Sequence, residues 1–560
     1  MNKRRGDRPN ALLFTALGVV AATAQVSRLL ASNQLGRSSL FVDDAYYYFE
    51  IARNIARGNG STWDGLHTTN GYHPLWMLML LPVVFVVRDR VNVLVTVKAV
   101  AGLLWIVAMR SVAQIANILN APTAMWIGAL PIVLYSTLFA RSTPFAGVET
   151  GLLIPISLTI ITVLLQPEHP KTIRNLGWLG AAATLTRLDA ITTVLMVSVV
   201  VGLHSPTPLR FRERITRTLR VGAPAVVSVI SVAIINRIWT GELLTVSSRA
   251  KALGGGTSSH YALRQYFTQP GSLPIFVGIG SVTLLVTLVA LYVTHAKVGA
   301  APTSPTARHL ARVLGVLWLA EFSSTIVFDS QSSWPQWPWY FYNSFIILLL
   351  APGLVLSRLW PSAWSVNFDR AGAKVQLRAT ALLLFAAATI GIGMGWATAP
   401  RSNGTENFYT QSANGAAALD ATLPRDAVIA MGDRAGAFGY FVNRPVVQLE
   451  GIVNSHEFLD AVERGESNQF LQRAGVTYYA KSAHLEDRYP LENDGGPEPE
   501  AKQCGWRFEP FFGESDKLRF AVCKDDIVYT ATSANGEQLT VWRLTQPVTR
   551  FAMPPRSSGL

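Results

Sequence analysis

Two adjacent carboxylates, Asp43 and Asp44, open the chemically densest stretch of this chain. They sit in Phe41-Val-Asp-Asp-Ala-Tyr-Tyr-Tyr-Phe-Glu50, shortly after an apolar run from Ala11 to Leu30. The stretch continues through Gly58-Asn59-Gly60 to His67-Thr-Thr-Asn-Gly-Tyr-His-Pro-Leu-Trp76. A carboxylate held at a bilayer edge is costly unless it pairs or performs work. An aspartate within hydrogen-bond reach of a hydroxyl can act as its general base. For a single Asp the competing role is a helix N-cap, but the density of the whole block favours chemistry. Asp43 is the expected base, with Asp44 positioning it or binding an acceptor or a metal; the reverse assignment stays open. Asn70, Tyr72 and His73 supply further polar groups, and His73 is a candidate ligand for a metal or a phosphate. A divalent metal is possible and its ligands are not identified; no zinc-type spacing of cysteines exists.

Positive charge placed opposite these acids suits a phosphate. Arg249 and Lys251 precede Gly254-Gly255-Gly256, Arg187 lies between two apolar runs close to Asp189, and Glu149 follows a short loop after another. The alternatives are a solvated basic loop for Arg249 and Lys251, an ion pair with Asp189 for Arg187, and a helix cap for Glu149. Trp334, Trp337, Trp339 and Tyr340 form an aromatic segment suited to interface anchoring or to sugar stacking.

The elements that position these groups are mostly apolar. Of 560 residues 50% are hydrophobic and only 15% charged, against about 25% charged in ordinary soluble domains. The tail from Arg401 is mildly acidic, with 16 Lys/Arg and 21 Asp/Glu. The positive charge therefore resides in the first 400 residues, which hold 32 Lys/Arg against 14 Asp/Glu, between apolar runs. That distribution marks topology and not nucleic-acid binding, because basic loops stay cytoplasmic. Arg210, Arg212, Arg214, Arg217 and Arg220 form the strongest such cluster. Alternation from that anchor places the tail, the acidic loop 32–74 and the Glu149 loop outside the cell membrane. Leu75–Val87 is short for the roughly 20 residues of a full span, so it is expected to lie along or re-enter the outer face. A helix from Asp44 to Arg57, aromatic on one side, suits the membrane interface. The fold expected is a polytopic α-helical membrane protein with about 10–12 membrane helices over residues 1–400, and an extracytoplasmic α/β domain over 401–560. In that tail Asp426–Met431, Val446–Leu449 and Thr477–Tyr479 read as strands, and Ser455–Arg464 and Ser467–Ala474 as helices. Cys504 and Cys523 are the only cysteines, and a disulfide between them and two free thiols are both open.

The acidic block resembles the first periplasmic loop of type C (GT-C) glycosyltransferases. More narrowly, Asp43-Asp44-Ala-Tyr, Arg53-Asn54, Gly58-Asn59-Gly60 and Asn70-Gly-Tyr-His-Pro-Leu-Trp76 are similar to a bacterial branch with arabinofuranosyl- and mannosyltransferase-like members. Gly147-Val-Glu149-Thr150 resembles that branch's second external loop. Thr186-Arg187-Leu188-Asp189 resembles its Thr-Arg-Pro-Asp element, with Leu in place of Pro. Gly241-Glu-Leu-Leu-Thr followed by Lys251 is similar to a further stretch, again without its Pro. Gly432–Tyr440 and Leu449–Asn454 resemble its small periplasmic domain. The resemblance implies an enzyme that transfers sugar, with inversion, from a polyprenyl-phosphate donor to a glycan, lipid or protein acceptor in the cell envelope. It implies catalysis by Asp43 and Asp44, and substrate binding by Lys251, Arg249, Arg187, Glu149, His73, Asn70 and Tyr72. It fixes neither the sugar nor a cofactor. A lipid-linked glycan transporter or flippase is the alternative, although no internal repeat of the transporter kind is present; an inactive glycan-binding membrane scaffold is another. The tail has no nucleophile–base pairing, and its spaced glycines do not match a dinucleotide fingerprint.

Overall fold

The computed structural model describes residues 7–166, 170–203, 210–253, 279–296, 304–331, 334, 336–359, 373–400, 407–484, 504–509 and 518–544. The Gly254–Gly256 segment lies outside the described residues. The chain is a membrane protein built on α-helices with a small sheet region at its C-terminal end. Among the described residues five helices are long and apolar enough to cross a membrane: Leu12–Ala31, Arg90–Ile118, Phe211–Thr240, Pro305–Phe328 and Tyr342–Leu359. Six shorter apolar helices accompany them.

In chain order the first helices are α1 (Asp7–Ala31), α2 (Gln34–Ser38), α3 (Asp43–Ala56), α4 (Pro74–Val86), α5 (Arg90–Ile118), α6 (Pro122–Leu138) and α7 (Thr150–Leu164). Then come α8 (Pro170–Thr186), α9 (Ile191–Leu203), α10 (Phe211–Thr240), α11 (Val246–Leu253), α12 (Ile279–His295), α13 (Pro305–Gln331), α14 (Tyr342–Leu359) and α15 (Ala373–Ala397). One apolar core runs through α5, α6, α7, α13 and α14 around Trp105, Phe145, Leu314 and Phe345. The arginines 212, 214, 217 and 220 lie on the first third of α10, not in a loop. At about 1.5 Å per residue the 30-residue α10 separates them by most of a bilayer thickness from Gly241, where a left-handed backbone (φ +79°) ends the helix.

Both ends of α4 lie beside the tail. Gly71, just before it, packs against the Ile452 carbonyl, and Arg90, just after it, donates to the Phe441 carbonyl at 2.9 Å. A helix of 13 residues that starts and finishes on one face does not traverse the molecule.

The tail begins with α16 (Phe408–Thr422) and continues as β1 (Val428–Met431), α17 (Ala435–Phe441), β2 (Val446–Gln448), α18 (His456–Glu463), α19 (Ser467–Arg473) and β3 (Val476–His484). The strands β4 (Cys504–Glu509), β5 (Leu518–Cys523), β6 (Ile527–Thr532) and β7 (Glu537–Arg543) follow. The main sheet has the order β2-β1-β3-β7-β6. Its first three strands are parallel, while β7 and β6 add antiparallel. The strands β4 and β5 form a separate hairpin that sets Cys504 opposite Cys523, and Cys523 is disulfide-bonded.

The helix expected at the membrane interface is α3, and its surroundings differ from that expectation. Every residue from Ala45 to Asn54 is buried. The Tyr46 and Phe49 rings pack on Tyr440 of α17 at centroid distances of 5.3 and 6.1 Å, and the Arg53 guanidinium lies over the same ring. The aromatic face thus buries against the tail instead of settling among headgroups, and α3 and the tail share one apolar core.

Candidate active site

The acidic loop is fastened from below by a buried lysine. Lys98 of α5 donates to the carbonyls of Leu40, Ala140 and Phe145 at 2.7–2.8 Å. The first of these leads into Asp43 and the last into Glu149, so one ammonium fixes the spacing of the two acidic loops. Between Phe145 and Glu149 the chain turns at Gly147 (φ +89°), where a Cβ would also collide with the Phe41 ring. Asp43 and Asp44 form the first turn of α3, where the positive end of the helix dipole favours carboxylates.

The two aspartates then part company. Asp43 directs both oxygens at the tail, accepting from the Gly436 N–H at 2.9 Å and from the Ala437 N–H at 2.8 Å. Residue 436 is glycine because a Cβ there would strike the Asp43 backbone. Asp44 lines a cavity of about 330 Å³ together with Tyr48, His73, Glu149, Arg187 and Lys251; Asp43 does not line it. Burial pushes the Asp43 carboxyl up to about 7 against the pull of its two N–H donors. Burial also pushes Asp44 up to about 6, and there the chief opposing charge is the Lys251 ammonium. The expectation that Asp43 takes a proton from a bound hydroxyl therefore does not match the geometry. Its oxygens are occupied by backbone donors, and the carboxylate open to the cavity is Asp44.

Opposite Asp44 the cavity is cationic and tightly braced. Arg187 donates to Glu149 at 2.9 Å and to Asp189 at 2.8 Å, and its guanidinium lies 4.4 Å from the Tyr340 ring centroid. The expected Arg187–Asp189 pair is present, and Glu149 adds a second brace and accepts from the Tyr48 hydroxyl at 3.1 Å. Lys251 donates to the Tyr340 hydroxyl at 2.6 Å. Burial works against the Lys251 charge, but Tyr340 and Asp44 outweigh it and hold the amine above its usual range. His73 has its Nε2 at 4.0 Å from Glu149, and its buried Nδ1 has no hydrogen-bond partner. Burial keeps this imidazole below its ordinary range.

Two expected site residues, Arg249 and Asn70, have other surroundings. The Arg249 guanidinium turns away and pairs with Asp460 at 2.6 Å and Glu463 at 2.7 Å in α18; two acidic partners on the tail leave it outside the cavity. Asn70 accepts from the Val246 N–H at 2.8 Å and so starts α11, the helix that delivers Lys251. It lines a second, apolar groove of about 990 Å³ between α4, α8 and α10. Tyr72 lines both the groove and the cavity. The tail closes the cavity through Ile452 and Val453. Among the described residues no cluster of three or more His, Cys, Asp or Glu could hold a metal ion.

Sequence reasoning missed Tyr48, Glu321 and Asn343 in this cavity. Glu321 had a usable signal, since it is a carboxylate within an apolar run. Tyr48 and Asn343 had none without knowledge of helical register.

No protein-family model matches the chain, and no curated protein matches it. Among solved structures it is similar to ArnT from Cupriavidus metallidurans bound to undecaprenyl phosphate. That likeness has 14% identity and a TM-score of 0.44, over 94% of this chain and 97% of the other. It is also similar to the Archaeoglobus fulgidus oligosaccharyltransferase in its apo form, with 10% identity and a TM-score of 0.44 over 83% of this chain and 69% of the other. The same enzyme tethered to an acceptor peptide gives 11% and 0.41 over the same shares. Likenesses this distant decide neither the family nor the chemistry.

Proposed function

We propose that this protein is a type C membrane glycosyltransferase that moves sugar from a polyprenyl-phosphate carrier to a cell-envelope acceptor on the outer face of the membrane. The observation that carries the reading is the cavity itself: one half-buried carboxylate, Asp44, faces the Lys251 ammonium, and Tyr72 lines both this cavity and an apolar groove. An isoprenoid tail needs such a groove, a departing phosphate needs the cation, and an acceptor hydroxyl needs the base.

In the proposed step Asp44 accepts the proton of an acceptor hydroxyl. The oxygen attacks the anomeric carbon, the bond from that carbon to the phosphate oxygen breaks, and the electron pair leaves on the lipid phosphate. Attack opposite the leaving group inverts the anomeric centre. Lys251 stabilises the charge that grows on the phosphate, where preorganised donors act most strongly. Arg187 contributes field but little flexibility, because Glu149 and Asp189 already engage it. His73, with an unpartnered Nδ1, is a neutral donor to a phosphate oxygen when that nitrogen carries the proton. Asp43, Arg249 and Asn70 serve position: they hold the tail and α11 against the acidic loop. The arginine cluster at the far end of α10 supports an outer placement of the cavity and tail. The resemblance to the arabinofuranosyl- and mannosyltransferase-like branch remains part of this proposal. No observation favours a transporter.

The test is a transfer assay with purified protein and a panel of radiolabelled polyprenyl-phosphate sugars on envelope extracts. Labelled product from at least one donor, lost with Lys251→Met, is the expected result. No product from any donor, under conditions where the lipid binds, would overturn the reading.

A further inference from the structure

The inner end of the cavity holds polar side chains that the transfer step leaves unused. Glu321, in the membrane helix α13, is only 5% exposed. Its carboxylate accepts from the Ser344 N–H at 2.9 Å and from the Ser344 hydroxyl. Asn343, 1% exposed, donates through Nδ2 to the Thr193 hydroxyl at 2.9 Å, and its buried Oδ1 has no hydrogen-bond partner. The Thr193 hydroxyl lies 3.0 Å from that of Tyr342. All four of Glu321, Asn343, Thr193 and Tyr342 line the cavity. Polar groups buried at membrane depth are expensive and mark functional sites, and a buried acceptor without a donor is one that a ligand can satisfy.

The position of this cluster limits what fills it. Thr193 lies four residues beyond Asp189, about one helical turn or ~5.4 Å deeper than the Arg187 brace. Asp44, by contrast, is next to the residue that bonds the tail, so an acceptor meets its base at the tail side. The deeper end is left for the donor. We propose that it is the donor-sugar subsite and that it takes a sugar ring rich in hydrogen-bond donors. The Asn343 Oδ1 and the Glu321 carboxylate are both acceptors, and ring hydroxyls are the donors that match them. The phosphate of the same donor stays beside Lys251, which lines the same cavity. The inference rests on the reading of the cavity as a lipid-phosphate sugar site.

Binding separates the two claims without requiring turnover. Purified wild type, Glu321→Gln and Asn343→Ala are titrated with farnesyl phosphate and with farnesyl phosphate bearing a neutral hexose, a neutral pentose or an amino sugar. Wild type should bind at least one sugar-bearing form more tightly than the bare phosphate. Each variant should lose about ten- to a hundredfold of that gain, the range for hydrogen bonds involving a charged or buried partner. Each should keep its affinity for the bare lipid, which also reports an intact fold. A sugar gain unchanged in both variants overturns the subsite while leaving the transfer reading standing. Wild type that binds neither form overturns both.

Discussion

The wall of the cavity and the face that docks the tail draw on the same two short helices and use them in opposite ways. In α3, Asp44 faces the cavity while its neighbour Asp43 bonds to Gly436 and Ala437. In α11, Lys251 faces the cavity while Arg249, two residues earlier, pairs with Asp460 and Glu463. A helix turns about 100° per residue, so side chains two apart point to nearly opposite sides. One acid of the Asp43–Asp44 pair and one cation of the Arg249–Lys251 pair thus hold the tail, while the other member of each lines the cavity. Adjacent residues of like type are not redundant here; they address different surfaces.

The largest expected effect separates the aspartates. Asp44→Asn should lower transfer by about 10²–10⁴-fold, the usual worth of general-base assistance, with thermal stability close to wild type. Asp43→Asn should keep transfer within about tenfold but weaken the tail contact. The new amide nitrogen would face a backbone N–H, a loss of about 1–3 kcal/mol for an unsatisfied buried group. Product formation and melting temperature measured on the same samples check both, and an inactive, stable Asp43→Asn would reverse the division.

A smaller effect separates the cations. Lys251→Met should lower kcat by about 10²–10³-fold if it stabilises the leaving phosphate, as loss of one such donor does elsewhere. Arg249→Met should leave kcat nearly unchanged. Its partners Asp460 and Glu463 are about two-fifths exposed, so the pair contributes about 1 kcal/mol or less to stability. Steady-state kinetics of both variants, with urea titration of the second, measure the contrast. A kcat loss at Arg249 as large as that at Lys251 would break it.

Much of the scaffold was legible in the sequence and the division of labour was not. The apolar runs gave the helices because burial in lipid imposes long stretches without charge, and Val446–Leu449, Ser455–Arg464 and Ser467–Ala474 anticipated β2, α18 and α19 to within a residue or two. The hairpin of β6 and β7 was missed although Asn535-Gly536 is a strong turn signal. Asp44, Lys251, Arg187, Glu149, His73 and Tyr72 do gather around one cavity. Arg249 was grouped with Lys251 because the segment read as a loop; recognising α11 would have set them apart. Asp43 was preferred over Asp44 because nothing in the sequence shows the rotation of α3, which is fixed by the packing of Tyr46 and Phe49 on Tyr440. Burial of those rings against the tail is a long-range contact, invisible to local pattern.

The most direct test of Asp44 as the base is the pH dependence of kcat/KM in wild type and in Asp43→Asn. Burial raises Asp44 to about 6, and a base works only when ionised. The rate should therefore be level above that value and fall about tenfold per pH unit below it. Asp43→Asn should keep this acid limb near pH 6, because the titrating group is still present. An acid limb that disappears in Asp43→Asn, with activity persisting at low pH, would contradict the account.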